Sequence, residues 1–223
     1  MTAPIPAPTT DFDLAIVGAG IAGASLAWRL APQRRVLLLE AESQPGFHST
    51  GRSAAMFMES YGTPQVRALT RASRAFYEQP PAGFTETPLL TPRGALYVAW
   101  ADQQAELEST RATLQATGTT IEVLDAAQTL ARVPVLKPDG LIGGLFEPDA
   151  TDIDVHALHQ GFLRGARRQG TALWLDARLA GARRAVGRWQ LSMADGRTAT
   201  AGVLVNAAGA WADAIGQLAG AQP

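Results

Sequence analysis

Residues 11–30 read DFDLAIVGAGIAGASLAWRL, and residues 34–40 read RRVLLLE. An apolar run ends in Gly18, Gly20 and Gly23, a helical pattern follows, and a second apolar run ends in Glu40. The order strand, glycine turn, helix, strand is the one that a dinucleotide requires. Gly18 lets the chain turn sharply off the strand, Gly20 lets the backbone approach a pyrophosphate, and Gly23 lets the helix pack closely on the sheet. Ala19, Ile21 and Ala22 complete the turn, and the amides at the helix N-terminus face the dianion. Glu40 stands 20 residues after Gly20, where an acid accepts hydrogen bonds from a ribose. It ends the second strand, and Ala41 follows it. Its charge disfavours a 2′-phosphate, which leaves NAD and FAD.

The next stretch, AESQPGFHSTGRSAAMF at 41–57, is rich in small and hydroxyl residues. Ser49, Thr50 and Ser53 can donate to phosphate or flavin oxygens, and Arg52 offers a planar fork suited to a phosphate or carboxylate. On composition alone the segment reads equally well as a solvated surface loop.

The segments VGAGIAGAS (17–25), the acid of VLLLE, HSTGRSAA (48–55), TDIDVHALHQGFLRGARRQG (151–170) and LVNAAGAWAD (204–213) follow one another here. In this order and spacing they resemble the D-amino-acid oxidase–like flavoproteins, most closely the D-arginine dehydrogenase branch. The resemblance runs from Asp11 onward. It implies an α/β fold: a Rossmann-like FAD-binding parallel sheet of the glutathione-reductase type with a β-meander crossover, plus part of an α+β substrate domain. Residues 12–59 and 150–223 would form a discontinuous FAD-binding domain, 60–149 part of the substrate domain, and 1–11 a mobile tail. The implied cofactor is FAD, and the implied reaction oxidises the Cα–N bond of a D-amino acid or small amine by hydride transfer to the flavin, with hydrolysis of the imine. The implied cofactor contacts are the 18–23 turn, Glu40, Ala41, His48, Ser49, Thr50, Arg52, Ser53, Ala54, Ala55, Leu179 beside the adenine, and Ala207, Ala208, Gly209 and Trp211. Met56 and Tyr61 match substrate-pocket positions, with Tyr61 as the catalytic candidate.

Members of this family are usually much longer, and the match resembles their N-terminal half. The chain therefore reads as an N-terminal portion, as a shortened protein or as one chain of a split enzyme completed by a second. Two other functions stay open: a flavoenzyme of the same fold acting on a 2-hydroxy acid or polyol, and a non-catalytic fragment or assembly partner. The electron acceptor is undetermined.

Composition agrees with a folded enzyme, with 47% hydrophobic and 17% charged residues. A net charge of −1 gives no reason to expect nucleic acid or an anionic membrane. Arginine outnumbers lysine 18 to 1, the coding bias of a GC-rich bacterial genome. Without cysteine there is no disulfide, thiolate metal site or cysteinyl flavin link. MTAPIPAPTT has neither a basic start nor an apolar core, and no apolar stretch suffices for a membrane helix, so the expected location is the cytoplasm.

Periodicity predicts strands at Leu14–Gly18 and Arg35–Glu40 around a helix at Ile21–Leu30. A helix from Pro64 to Tyr77 would turn Val66, Leu69, Ser73 and Phe76 inward. Further strands are expected at Ala95–Trp100, Ile121–Leu124 and Leu141–Phe146, with a helix capped by Asp102. Asp154 is the expected N-cap of a helix at Val155–Arg168. Three strands, Thr171–Arg183, Trp189–Met193 and Thr198–Asn206, would turn at Gly187 and at Asp195-Gly196, with a helix from Trp211.

Several residues have two readings. His48 stands where some relatives attach the flavin covalently; binding without a bond is expected here. His156 and His159 lie three apart on a helix, and exposed positions rather than a metal site are expected. Tyr61 is either a pocket residue or a buried tyrosine with a satisfied hydroxyl. Met56 replaces a histidine, and Gly94-Ala95 replace an acid, of the resembling branch. A cationic side chain would want that acid, so an apolar D-amino acid or small amine is the expected substrate.

Overall fold

A computed structural model describes residues 10–221, so the expected tail lies almost wholly outside the described residues. Asp11 is not part of it: β1 (Asp11–Val17) begins there and is paired with Thr200. The described chain forms two compact units, one of residues 10–53, 83–86 and 155–221, the other of residues 54–82 and 87–154.

The first unit is built on a six-stranded sheet. β1 leads through α1 (Ile21–Leu30) to β2 (Val36–Leu39), which pairs with β1 in parallel, Leu14 opposite Val36. Ile16, Leu37 and Leu38 are fully buried, as apolar runs covered on both faces should be. α5 (Val155–Arg168) starts directly after Asp154 and packs on α1. Trp28 of α1 meets Phe84 and Phe162, with ring centroids 5.6 and 5.4 Å away. Gly165 leaves room for that indole, since a Cβ there would lie 2.4 Å from Trp28 Cδ1.

After α5 the chain does not continue as the single strand expected over Thr171–Arg183. It forms β9 (Ala172–Trp174) and then β10 (Leu179–Ala185), broken where Asp176 adopts φ 50°. β9 extends the sheet beyond β2, whereas β10 lies at the opposite edge, and one continuous strand could not occupy both places. β11 (Arg188–Met193) and β12 (Thr198–Asn206) complete the meander, giving the order β10-β11-β12-β1-β2-β9. Val186 and Gly187 both have positive φ (49° and 76°), the type I′ geometry that suits a tight hairpin. β12 then runs parallel to β1. A 3-10 turn at Gly209–Trp211 precedes α6 (Ala212–Leu218), which starts one residue later than expected.

In the second unit, β3 (Met56–Phe57), β8 (Thr151–Ile153) and β4 (Leu90–Pro92) form a small antiparallel sheet. β5 (Ala95–Trp100), β7 (Leu141–Glu147) and β6 (Glu122–Asp125) form another, matched to within a residue or two by the expected strands. Asp102 does not cap α3 (Gln104–Ala116); it lies inside a 3-10 turn, Ala101–Gln103. α4 (Ala126–Arg132) is capped reciprocally by Asp125 and Gln128. α2 (Pro64–Glu78) forms as expected, with Thr63 accepting at its N-terminus, but its apolar stripe is not buried. Leu69 is 70% exposed and Val66 is exposed too. Helical spacing makes a face amphipathic; only tertiary neighbours bury it. Among the described residues no helix is long and apolar enough to cross a membrane.

Candidate cofactor site

The glycine turn joins β1 to α1 at the C-terminal edge of the parallel strands, and each glycine has a different steric reason. Gly18 has φ 102°, and a Cβ there would lie 2.3 Å from the Ala207 carbonyl oxygen. A Cβ on Gly23 would lie 1.9 Å from the Gly18 carbonyl oxygen, so helix and turn touch backbone to backbone. Gly20 is different: its Cβ would meet only Thr50 Oγ1, at 3.1 Å, and the rest of the space above the turn is open.

The turn is held from two sides. Ala19 N–H donates to Glu40 Oε2 (3.1 Å), and Glu42 N–H donates to Glu40 Oε1 (3.0 Å). Carboxylate oxygens accept more than one bond, so Glu40 keeps capacity for a ribose. Ile21 N–H donates to Thr50 Oγ1 (3.0 Å), which joins the hydroxyl-rich loop to the start of α1. The Gly20, Ala22 and Gly23 N–H groups have no protein partner among the described residues, and the first turn of α1 carries no acid. Orphan amides at a helix start whose first turn carries no acid are the donor set a pyrophosphate fits. Replacing Glu40 by Ala removes both backbone contacts; we expect a loss of about 1 kcal/mol in the flavin-free protein, measured by urea denaturation.

In the loop, Ser49, Ser53 and Ala54 are exposed. Arg52 is also exposed and lies with its guanidinium 4.8 Å from the Phe47 ring centroid. Ala55 C=O accepts from Ile153 N–H (2.9 Å). His48 Nε2 lies 2.9 Å from Glu42 Oε1, and its ring is 4.5 Å from that of Trp211. The loop and the segment after β12 therefore meet. Ala207 N–H donates to Val17 C=O (2.8 Å), Ala208 N–H to Asn206 Oδ1 (3.2 Å), and Gly209 has φ 55°. Glu40 also receives the far strand: its N–H donates to Trp174 C=O and its C=O accepts from Ala177 N–H (2.7 Å). Buried Leu179 follows two residues later, and exposed Ala41 follows Glu40.

Two expectations are corrected. His159 is not exposed: it is 3% exposed and its Nε2 lies 2.8 Å from the Ala19 carbonyl oxygen. His156 does face solvent. The missed signal was helical, because 159, 162, 163 and 166 form one i, i+3, i+4, i+7 stripe and all are buried. Tyr61 is not a buried tyrosine; it is 73% exposed. In the second unit, Met56 pairs with Asp152 in the small sheet. Ala95 pairs with Glu147, which is 2% exposed and accepts the Ser60 hydroxyl at 3.0 and 2.8 Å.

The parallel sheet with its meander and a glycine turn of this chemistry defines a dinucleotide-binding oxidoreductase fold. The chain belongs to the family of FAD dependent oxidoreductases, whose model matches residues 13–223, and its cofactor is FAD. Among curated proteins it is similar to mitochondrial dimethylglycine dehydrogenase of Rattus norvegicus, 27% identical over 211 residues, covering 92% of this chain and 24% of that protein. It is similar to L-2-hydroxyglutarate dehydrogenase of Escherichia coli K12 as well, 26% identical over 225 residues, covering 95% and 51%. The chain thus spans a quarter to about half the length of these relatives. Among solved structures, glycine oxidase from Geobacillus kaustophilus superimposes with a TM-score of 0.82 at 23% identity, covering 94% of this chain and 58% of that one. The likeness at that identity is one of fold. The D-arginine dehydrogenase branch is not singled out by these relatives.

Proposed function

We propose that the chain is the FAD-holding portion of an oxidoreductase that oxidises the Cα–N bond of a D-amino acid or small amine. The observation that carries this reading is the similarity to dimethylglycine dehydrogenase, an amine-oxidising relative by name, over 92% of the chain. The residues that would hold FAD are the 18–23 turn at the pyrophosphate, Glu40 at the ribose, the backbone near Leu179 at the adenine, and the 48–55 loop with Ala207, Ala208, Gly209 and Trp211 nearer the flavin. When bound, FAD supplies the hydride acceptor. Tyr61 and Met56 are proposed substrate contacts, and Tyr61 is free to serve because its ring is exposed.

The side chain we favour on the substrate is apolar rather than cationic. Ala95 offers no carboxylate, and the acid paired with it across the strands, Glu147, is buried against Ser60. A second reading, oxidation of a 2-hydroxy acid, is favoured by the similarity to L-2-hydroxyglutarate dehydrogenase over 95% of the chain.

The test mixes the purified chain with FAD, desalts it, and records the visible spectrum. Retained flavin is the expected result. Under anaerobic conditions, with the completing half supplied as a second chain where needed, D-leucine or an N-methylated glycine is expected to bleach the flavin, and 2-hydroxyglutarate is not. Bleaching by the hydroxy acid alone would select the second reading. Bleaching by D-arginine in preference to D-leucine would overturn the apolar assignment.

A further inference from the structure

His159 is not among the expected cofactor contacts, yet it touches two of the segments that hold them. It projects from α5 with Phe162, Leu163 and Ala166 on the buried face of that helix. Its Nε2 lies 2.8 Å from the carbonyl oxygen of Ala19, the residue between Gly18 and Gly20. A carbonyl only accepts, so Nε2 carries the proton. Burial holds the imidazole below its ordinary pKa and so favours the neutral ring, with His156 acting in the same sense. The Ala19 contact and the Glu40 charge act in the opposite sense.

The bond has a geometric consequence one residue on. The Ala19 C=O and the Gly20 N–H belong to one planar trans peptide and point in opposite directions. Pulling the oxygen toward α5 aims the Gly20 N–H away from it, and this is one of the amides without a protein partner among the described residues. The Ala19 N–H, in the preceding peptide, is fixed separately by Glu40. Both peptides that flank the Ala19 Cα are therefore oriented by side chains from elsewhere in the unit. The same ring also abuts the second segment. A Cβ on Gly46 would lie 2.8 Å from His159 Cε1, Gly46 has φ 78°, and its carbonyl accepts from Gly51 N–H (2.8 Å) at the heart of the hydroxyl-rich loop.

We propose that His159 is a positioning residue for the cofactor: its Nε2–H···O bond to Ala19 orients the Gly20 amide, and its contact with Gly46 sets the 46–51 turn beside it, so that tight FAD binding requires a hydrogen-bond donor at this position. The proposal rests on FAD as the cofactor and concerns affinity rather than turnover. Nothing in it needs a charge on the ring.

The test compares wild type with His159→Gln, which can place an amide N–H near the Nε2 position, and His159→Leu, which fills similar space without a donor. Dissociation constants for FAD are read from flavin fluorescence, and thermal midpoints are read on the flavin-free proteins. His159→Leu is expected to bind FAD about tenfold more weakly or worse, and His159→Gln to stay within roughly threefold of wild type, although both shift the flavin-free midpoint. Should His159→Leu fail to fold, His159→Asn takes its place. It keeps an amide too short to reach Ala19, and the same weakening is expected. Wild-type affinity in His159→Leu or His159→Asn, or equal weakening in the Gln and Leu variants, overturns the proposal and leaves the cofactor intact. A wild-type chain that takes up no FAD overturns the proposal together with the cofactor role of this chain.

Discussion

Gly23→Ala is expected to cost at least about 3 kcal/mol of stability and to abolish flavin retention after desalting. Helix propensity argues the other way: alanine inside a helix is favoured over glycine by about 1 kcal/mol. Here the new methyl would lie 1.9 Å from the Gly18 carbonyl oxygen and 3.3 Å from Ile16 Cγ2. The first neighbour is backbone, held in turn by Gly18 N–H donating to Leu39 C=O (2.8 Å), so it cannot rotate away as a side chain would. Relief requires α1 to separate from the turn, which undoes the close approach that sets the unpartnered amides of Gly20, Ala22 and Gly23. Gly216→Ala in α6 is the internal control. Its Cβ would meet nothing closer than Ala221 Cβ at 3.9 Å, so the same change should stabilise by a few tenths to about 1 kcal/mol. Urea denaturation of both variants gives the comparison. A Gly23→Ala protein as stable as wild type would mean that the turn is not packed as described.

Glu147→Gln is expected to stabilise the chain above the ordinary carboxylate pH range, by about 2 kcal/mol, and to do little in acid. Glu147 is buried on β7, takes part in no salt bridge among the described residues, and accepts only from Ser60. Burial pushes its carboxyl above the ordinary value of 4.5, and nearby Asp149 adds to this; the Ser60 hydroxyl opposes it. The sign follows from proton counting. Between the unfolded and the raised folded pKa, the folded chain binds more protons than the unfolded one, so stability falls as pH rises through that interval. Below 4.5 both states are protonated and the penalty vanishes. Glutamine is neutral at every pH and can still accept from Ser60, so its stability curve should lack the decline. Melting midpoints measured across pH for the two proteins check this; parallel curves would show that Glu147 ionises without cost. Across the strands it pairs with Ala95.

The nucleotide-binding half of the fold was legible because its constraints are local. Apolar runs bounded by glycines at 18, 20 and 23 dictate strand, turn and helix whatever surrounds them, and the hairpins at Gly187 and Gly196 follow from residues that tolerate positive φ. The second unit was legible as elements but not as packing. α2 is a helix by periodicity and by its Pro64 start, yet Val66 and Leu69 remain exposed because nothing within 15 residues of sequence decides what covers them. The expected strand over 171–183 failed for a similar reason. Its β-forming residues are real, but Asp176 breaks them into pieces that serve opposite edges of the sheet.

Sequence by itself determined the glycine turn and the acid beside it, because these depend on residue types at fixed short spacing, and the family, because its motifs recur in order along the chain. Tertiary structure alone decided that His159 faces inward to Ala19, that Glu40, expected at a ribose, also braces the turn, and that Glu147 is withdrawn from solvent opposite Ala95. These contacts join residues 140, 21 and 52 positions apart. Such distances are closed only when helices and strands pack, and burial, which sets both hydrogen-bond strength and the charge a side chain can carry, exists only after they do.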